Sequence, residues 1–154
     1  MASVSNISMS LANGSSTSTR NVTVTGTITF DASEVGKSYR LEIQLFGEDK
    51  VGDTLPAGDP VGDDSLYTFT WGTLLNKKPY KQFTVAAAGP QTFTETRAVS
   101  NDKLDEDPGQ VKIGEADINT PLYMPRQDEV YAKVTLSGTP ISARSSTVIA
   151  GIGV

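Results

Sequence analysis

The chain's strongest constraint is a rhythm of two. Between residues 21 and 30, Val22, Val24, Ile28 and Phe30 alternate with Thr23, Thr25, Thr27 and Thr29. Between residues 38 and 45, Tyr39, Leu41, Ile43 and Leu45 alternate with Arg40, Glu42 and Gln44. Successive side chains of a strand point to opposite faces, so this period makes one oily face and one wet face. At a helical period the same residues scatter around the axis. With only residues 31–37 between them, the two runs are expected to pair at the centre of an antiparallel sheet with one solvated side.

Weaker versions of the pattern recur. Residues 3–11 set Ile7, Met9 and Leu11 against Ser8 and Ser10 and read as an edge strand. Residues 66–71 place Tyr67, Phe69 and Trp71 on one face, the most aromatic surface in the chain. Residues 81–87, 91–99, 128–136 and 145–154 supply further extended runs, and residues 76–79 read as a turn. In residues 91–99, Glu95 and Arg97 share a face with Phe93 and Val99, which suits an edge or bent strand whose two charges pair. No convincing helix emerges; residues 32–37 are the best candidate and span one turn. The sum is an all-β chain of eight or nine short strands, expected to form a two-sheet antiparallel β-sandwich. It would be immunoglobulin-like or jelly-roll-like in the broad sense, with Greek-key connections. Residues 1–20 would be an N-terminal strand plus a flexible Ser/Thr/Gly connector, and residues 21–154 one sandwich domain. Two segments, 47–64 and 100–127, are rich in Gly, Pro and Asp and are expected to be irregular.

Composition removes several functions. Cysteine and histidine are absent. Disulfides, thiolate chemistry, the commonest general base and the commonest transition-metal ligand go with them. A net charge of -5 and a pI near 4.6 argue against nucleic acid, and against an anionic membrane unless a cation bridges the two. No signal peptide is visible, and no run approaches the ~20 apolar residues of a transmembrane helix. The expected setting is the cytoplasm, or a virion or extracellular assembly.

What chemistry remains is sparse. Ser100-Asn101-Asp102-Lys103 matches Ser-x-x-Lys, but the Ser-Asp-Asn and Lys-Thr-Gly partners of that motif are missing. The carboxylates are more suggestive. Asp102, Asp105, Glu106 and Asp107 fall in one stretch; Asp49, Asp53, Asp59, Asp63 and Asp64 fall in another. A hard cation such as Ca²⁺ takes six to eight oxygens, and end loops can supply them. The spacing fails the EF-hand pattern, because Lys103 would fall on its first ligand position and Pro108 on its glycine. These residues are therefore read either as a calcium site that could hold a lipid, carbohydrate or protein ligand, or as solvated charges that keep the chain soluble.

The chain is expected to be non-enzymatic: a structural or assembly subunit, or a protein-interaction module, whose partners are copies of itself or a larger assembly. Its terminal strands are the candidate contacts. Ile7, Met9 and Leu11 at one end, and Val148, Ile152 and Val154 at the other, are expected to meet a neighbouring chain, as unpaired apolar strands do.

Overall fold

The computed structural model describes residues 2–47, 64–104, 110–117, 120–125, 129–137, 141–145 and 148–149. They form two antiparallel sheets and a separate two-stranded ribbon, with almost no helix. The first sheet has three strands in the order β1 (Ser3–Asn13), β2 (Thr19–Phe30), β6 (Gly89–Ser100). The second is centred on β3 (Ser38–Gly47) and β9 (Glu129–Ser137), which pair from Arg40↔Ser137 to Gly47↔Val130. Each of these strands has one edge left. On β3 it is shared by β5 (Lys81–Thr84) and β4 (Asp64–Thr68); on β9 it is shared by β10 (Ile141–Arg144) and β11 (Val148–Ile149). Between the last two, Ser145 keeps the ladder going: its N–H donates to the Ala132 carbonyl and its Oγ accepts from the Ala132 N–H, both at 2.8 Å.

The rhythm of two was a reliable guide to faces and a poor guide to neighbours. Val22, Val24, Ile28 and Phe30 of β2 and Tyr39, Leu41, Ile43 and Leu45 of β3 are all buried, in one core fed by both sheets. The two strands do not pair, however; each is central to a different sheet. Alternation fixes which side of a strand is apolar, not which strand lies beside it. The link contains a 3-10 turn at Ala32–Glu34, which carries the chain across from one sheet to the other. Phe30, Tyr39 and Phe83 pack around that crossing, with ring centroids 5.5 to 6.3 Å apart.

Two further expectations change. The described residues contain eleven strands; the ones without an expected counterpart are a short strand before β11 on the outer edge of β9 and two within residues 100–127. Residues 100–127 are also less irregular than their composition suggests. They hold a one-turn helix α1 (Asn101–Leu104) and the ribbon β7 (Gln110–Asp117) with β8 (Thr120–Pro125). Pro121 and Pro125 obscured β8, yet a two-stranded ribbon always offers proline an edge that needs no N–H.

One buried carboxylate fixes the crossing. Glu34 is 4% exposed. Its Oε1 accepts from the Ala2 N–H at 2.6 Å and from the Tyr39 hydroxyl at 2.9 Å, and its Oε2 accepts from the Asp31 N–H at 2.7 Å. The start of β1, the turn and the start of β3 thus share one acceptor. Truncating one member of a buried, charge-assisted network costs far more than a surface contact. Glu34→Ala is expected to lower the unfolding free energy by about 2–4 kcal/mol, and Tyr39→Phe by about 1 kcal/mol. Urea denaturation followed by circular dichroism measures both, and equal effects from the two would contradict this role for Glu34.

Candidate functional site

The two edges of the first sheet are built differently. On β6, Pro90 lacks an N–H, and Glu95 and Arg97 turn inward. The Arg97 guanidinium crosses to the other sheet's side. Its Nε and Nη2 donate to the Thr70 carbonyl at 3.2 and 3.1 Å, and it lies 5.3 Å from the Phe69 ring centroid and 5.2 Å from that of Trp71. Arg97 Nη1 meets Glu95 Oε2 at 3.3 Å, and Glu95 Oε1 meets Lys81 Nζ of β5 at 3.5 Å. The charge pair anticipated within residues 91–99 therefore forms, and it closes this side of the core. Inward charges, proline and a closing clamp are devices that stop an edge from recruiting another strand.

β1 has fewer such defences. Its sequence, Ser-Val-Ser-Asn-Ile-Ser-Met-Ser-Leu-Ala-Asn, contains no charge and no proline. A bulge between Ser5 and Ser8 bends its first half, with Asn6 in the left-handed region at φ 54°. From Ser8 to Asn13 the register with β2 is unbroken. Among the described residues no strand pairs with the outer edge of β1.

The face beside that edge is also uncharged. Ser8, Thr25 and Thr94 form one row across the three strands, and Ser10, Thr23 and Thr96 the next. The Ser8 and Thr25 hydroxyls bond to each other, as do those of Thr23 and Thr96 at 2.9 Å. Cross-strand hydroxyl pairs of this kind stiffen a sheet. Glycine at position 26, opposite the bulge, leaves room for the Ile7 and Phe93 side-chain tips, which pack over it and would have to shift for a Cβ.

The residues singled out from sequence sort as follows. Met9 is buried in the chain's own core, and Ile7 and Leu11 are packed against it. Whatever β1 offers a partner is thus its backbone edge and its Ser side, while these three side chains serve the chain itself. Residues 14–18 return β1 to β2 as a hairpin loop, whose Ser18 and Thr17 carbonyls accept from the Asn101 N–H at 2.8 Å and Asn101 Nδ2 at 3.1 Å. Val148 lies in β11 opposite Val130. Ile152 and Val154 lie outside the described residues, as do Asp105, Glu106 and Asp107, and Asp49, Asp53, Asp59 and Asp63. Asp102 is exposed on α1 and Asp64 is exposed at the start of β4. Among the described residues, no three carboxylates gather into a cation site. Ser100 ends β6 and Lys103 sits in α1, where its ammonium lies 5.8 Å from the Tyr67 ring centroid.

One surface feature gave no periodic signal. Leu74 and Leu75 are 87% and 97% exposed at the tip of a hairpin between the Trp71 and Lys78 backbone bridge. Two adjacent apolar residues fit neither strand nor helix period, so pattern reading passes over them. Their signal is charge: residues 65–94 contain three lysines and no carboxylate.

Comparison with protein-family models, with curated proteins and with solved structures finds no match for this chain. Among the described residues, no helix is long and apolar enough to cross a membrane.

The Arg97 clamp makes a direct prediction. Arg97→Met keeps much of the side chain's reach and removes its bonds to Thr70 and Glu95. It is expected to cost about 1–3 kcal/mol of stability, and to raise the hydrogen-exchange rate of β6 amides above that of β2 amides. A variant as stable as the parent would mean that the clamp contributes nothing.

Proposed function

We propose that the chain is a non-enzymatic assembly subunit built as a two-sheet β-sandwich, immunoglobulin-like or jelly-roll-like in its layering, that self-associates by strand addition at β1. The observation that carries this reading is the contrast between the two edges of one sheet. β6 is guarded by Pro90, Glu95 and Arg97, whereas the straight half of β1, Ser8 to Asn13, is uncharged and has no strand paired to its outer edge among the described residues. An open edge satisfies its backbone groups by pairing with a strand from another chain.

A second copy is the partner the charges favour. The chain carries -5 overall and would repel itself over much of its surface. Residues 1–30 hold no carboxylate and a single arginine, Arg20. Two copies meeting β1 to β1 bring together their neutral Ser and Thr rows. An antiparallel β1–β1 contact is isologous and closes on a twofold axis, joining two three-stranded sheets into one of six strands.

Sedimentation velocity over a concentration series tests this. The parent chain is expected to form dimers, and Ser8→Lys/Ser10→Lys to weaken dimerisation by at least tenfold, because edge lysines of both copies would then face one another. Both substitutions lie on exposed positions and give up only the Ser8–Thr25 hydroxyl pair, and circular dichroism checks that the monomer fold is kept. A parent that stays monomeric at millimolar concentration, or a lysine variant that dimerises equally well, would overturn the proposal.

A further inference from the structure

The exposed leucines sit on a scaffold too well defined to be accidental. The Trp71 N–H donates to the Lys78 carbonyl and the Lys78 N–H to the Trp71 carbonyl, both at 2.9 Å. Within that bridge the Asn76 N–H closes a turn on the Thr73 carbonyl at 2.9 Å. Gly72 has φ +113°, and a Cβ there would collide with the Asn76 carbonyl oxygen, so the hairpin needs glycine at this position. Trp71 at its base is held under the Arg97 guanidinium. The result is a fixed projection whose apex is Leu74 and Leu75.

The collar below the apex is cationic and aromatic. Lys77 and Lys78 follow the turn and are exposed. Tyr80 is half-buried, with the Arg40 guanidinium 4.3 Å and the Lys78 ammonium 5.8 Å from its ring centroid. Apolar residues at an exposed tip, with lysine, arginine and tyrosine close below, supply the three kinds of group that a lipid interface accepts. Acyl chains take the leucines, anionic headgroups take the cations, and an aromatic ring suits the boundary between them.

We propose that the 71–78 hairpin docks on the surface of a bilayer containing anionic lipid, with Leu74 and Leu75 inserted and Lys77, Lys78 and Arg40 facing the headgroups. The chain's net negative charge, which argued against such a surface, is an average: the carboxylates lie outside residues 65–94. The alternative seat is a recess of another copy. One such recess is a hollow of about 270 Å³ between β5 and β6, floored by Ile28, Leu41, Phe83 and Phe93, but Lys81 on its rim, though partnered by Glu95, would face Lys77 and Lys78. Like charges at a contact rim oppose docking. The membrane contact does not depend on strand addition at β1, although assembled copies would bind more tightly through many tips at once.

The test uses the full chain with chelator present throughout, so that no divalent cation bridges protein and lipid. Vesicles of phosphatidylcholine with and without phosphatidylserine are floated with the parent chain, with Leu74→Ser/Leu75→Ser and with Lys77→Gln/Lys78→Gln. The parent is expected to float with anionic vesicles and to be released by high salt. The leucine pair is expected to lose at least about tenfold in affinity, and the lysine pair to lose binding to anionic vesicles in particular. Amide chemical-shift changes on adding anionic bicelles, which register millimolar binding, should be confined to residues 72–80 and the neighbourhood of Arg40. The emission of Trp71, the single tryptophan, and the melting temperature report that each variant is folded. Absence of shift changes in the parent overturns the proposal, as does vesicle binding that survives loss of the leucines. If the leucine variant instead abolishes concentration-dependent self-association while lipid binding is nil, the tip's seat is another copy.

Discussion

The whole arrangement depends on two central strands turning their apolar faces into the same space from different sheets. β2 supplies Val22, Val24, Ile28 and Phe30, and β3 supplies Tyr39, Leu41, Ile43 and Leu45. Burial of this kind is the main favourable term in folding, at roughly 25 cal/mol for each Å² of apolar surface removed from water. It can be collected only if the seven-residue link moves the chain from one layer to the other. Glu34 sits at that step, holding the N–H groups of Ala2 and Asp31 and the Tyr39 hydroxyl. A side chain at the midpoint of a polar link therefore ties down where β2 ends and β3 begins.

The faces of the strands were legible because they follow from local geometry. Val130, Ala132, Val134 and Leu136 alternate in the sequence and are all fully buried, and Glu95 pairs with Arg97 as their shared face implies. Pairing was not legible, because it depends on where the chain goes between strands. A link of seven residues is long enough for a hairpin and long enough for a crossing. Alternation in residues 21–30 and 38–45 is equally compatible with both. The β7–β8 ribbon was hidden for a different reason. Pro121 and Pro125 argue against a central strand, and the ribbon has none.

The interaction surfaces divide in the same way. That residues 3–11 form an edge could be read from weak alternation, and β1 is an edge. That its Ile7, Met9 and Leu11 serve the chain's own core could not, since an apolar stripe looks the same whether its partner is in the same chain or another. What distinguishes β1 from β6 is visible only when both edges of the sheet are compared. One carries Pro90 and two inward charges; the other carries none of these from Ser8 onward. Evenly distributed selection against aggregation would defend both alike, so the less defended one is the place to look for a partner.

Charge completes the argument, because net charge describes no particular surface. Eighteen carboxylates against thirteen lysines and arginines give -5. Yet residues 1–30 and 65–94 contain none of those carboxylates. The first stretch builds the neutral hydroxyl face beside the open edge; the second builds the basic collar below Leu74 and Leu75. At physiological ionic strength the screening length is about 8 Å, so acidic segments farther away than this do little to cancel either patch. A surface approaching β1 meets an uncharged sheet, and one approaching the 71–78 hairpin meets cations around an oily tip.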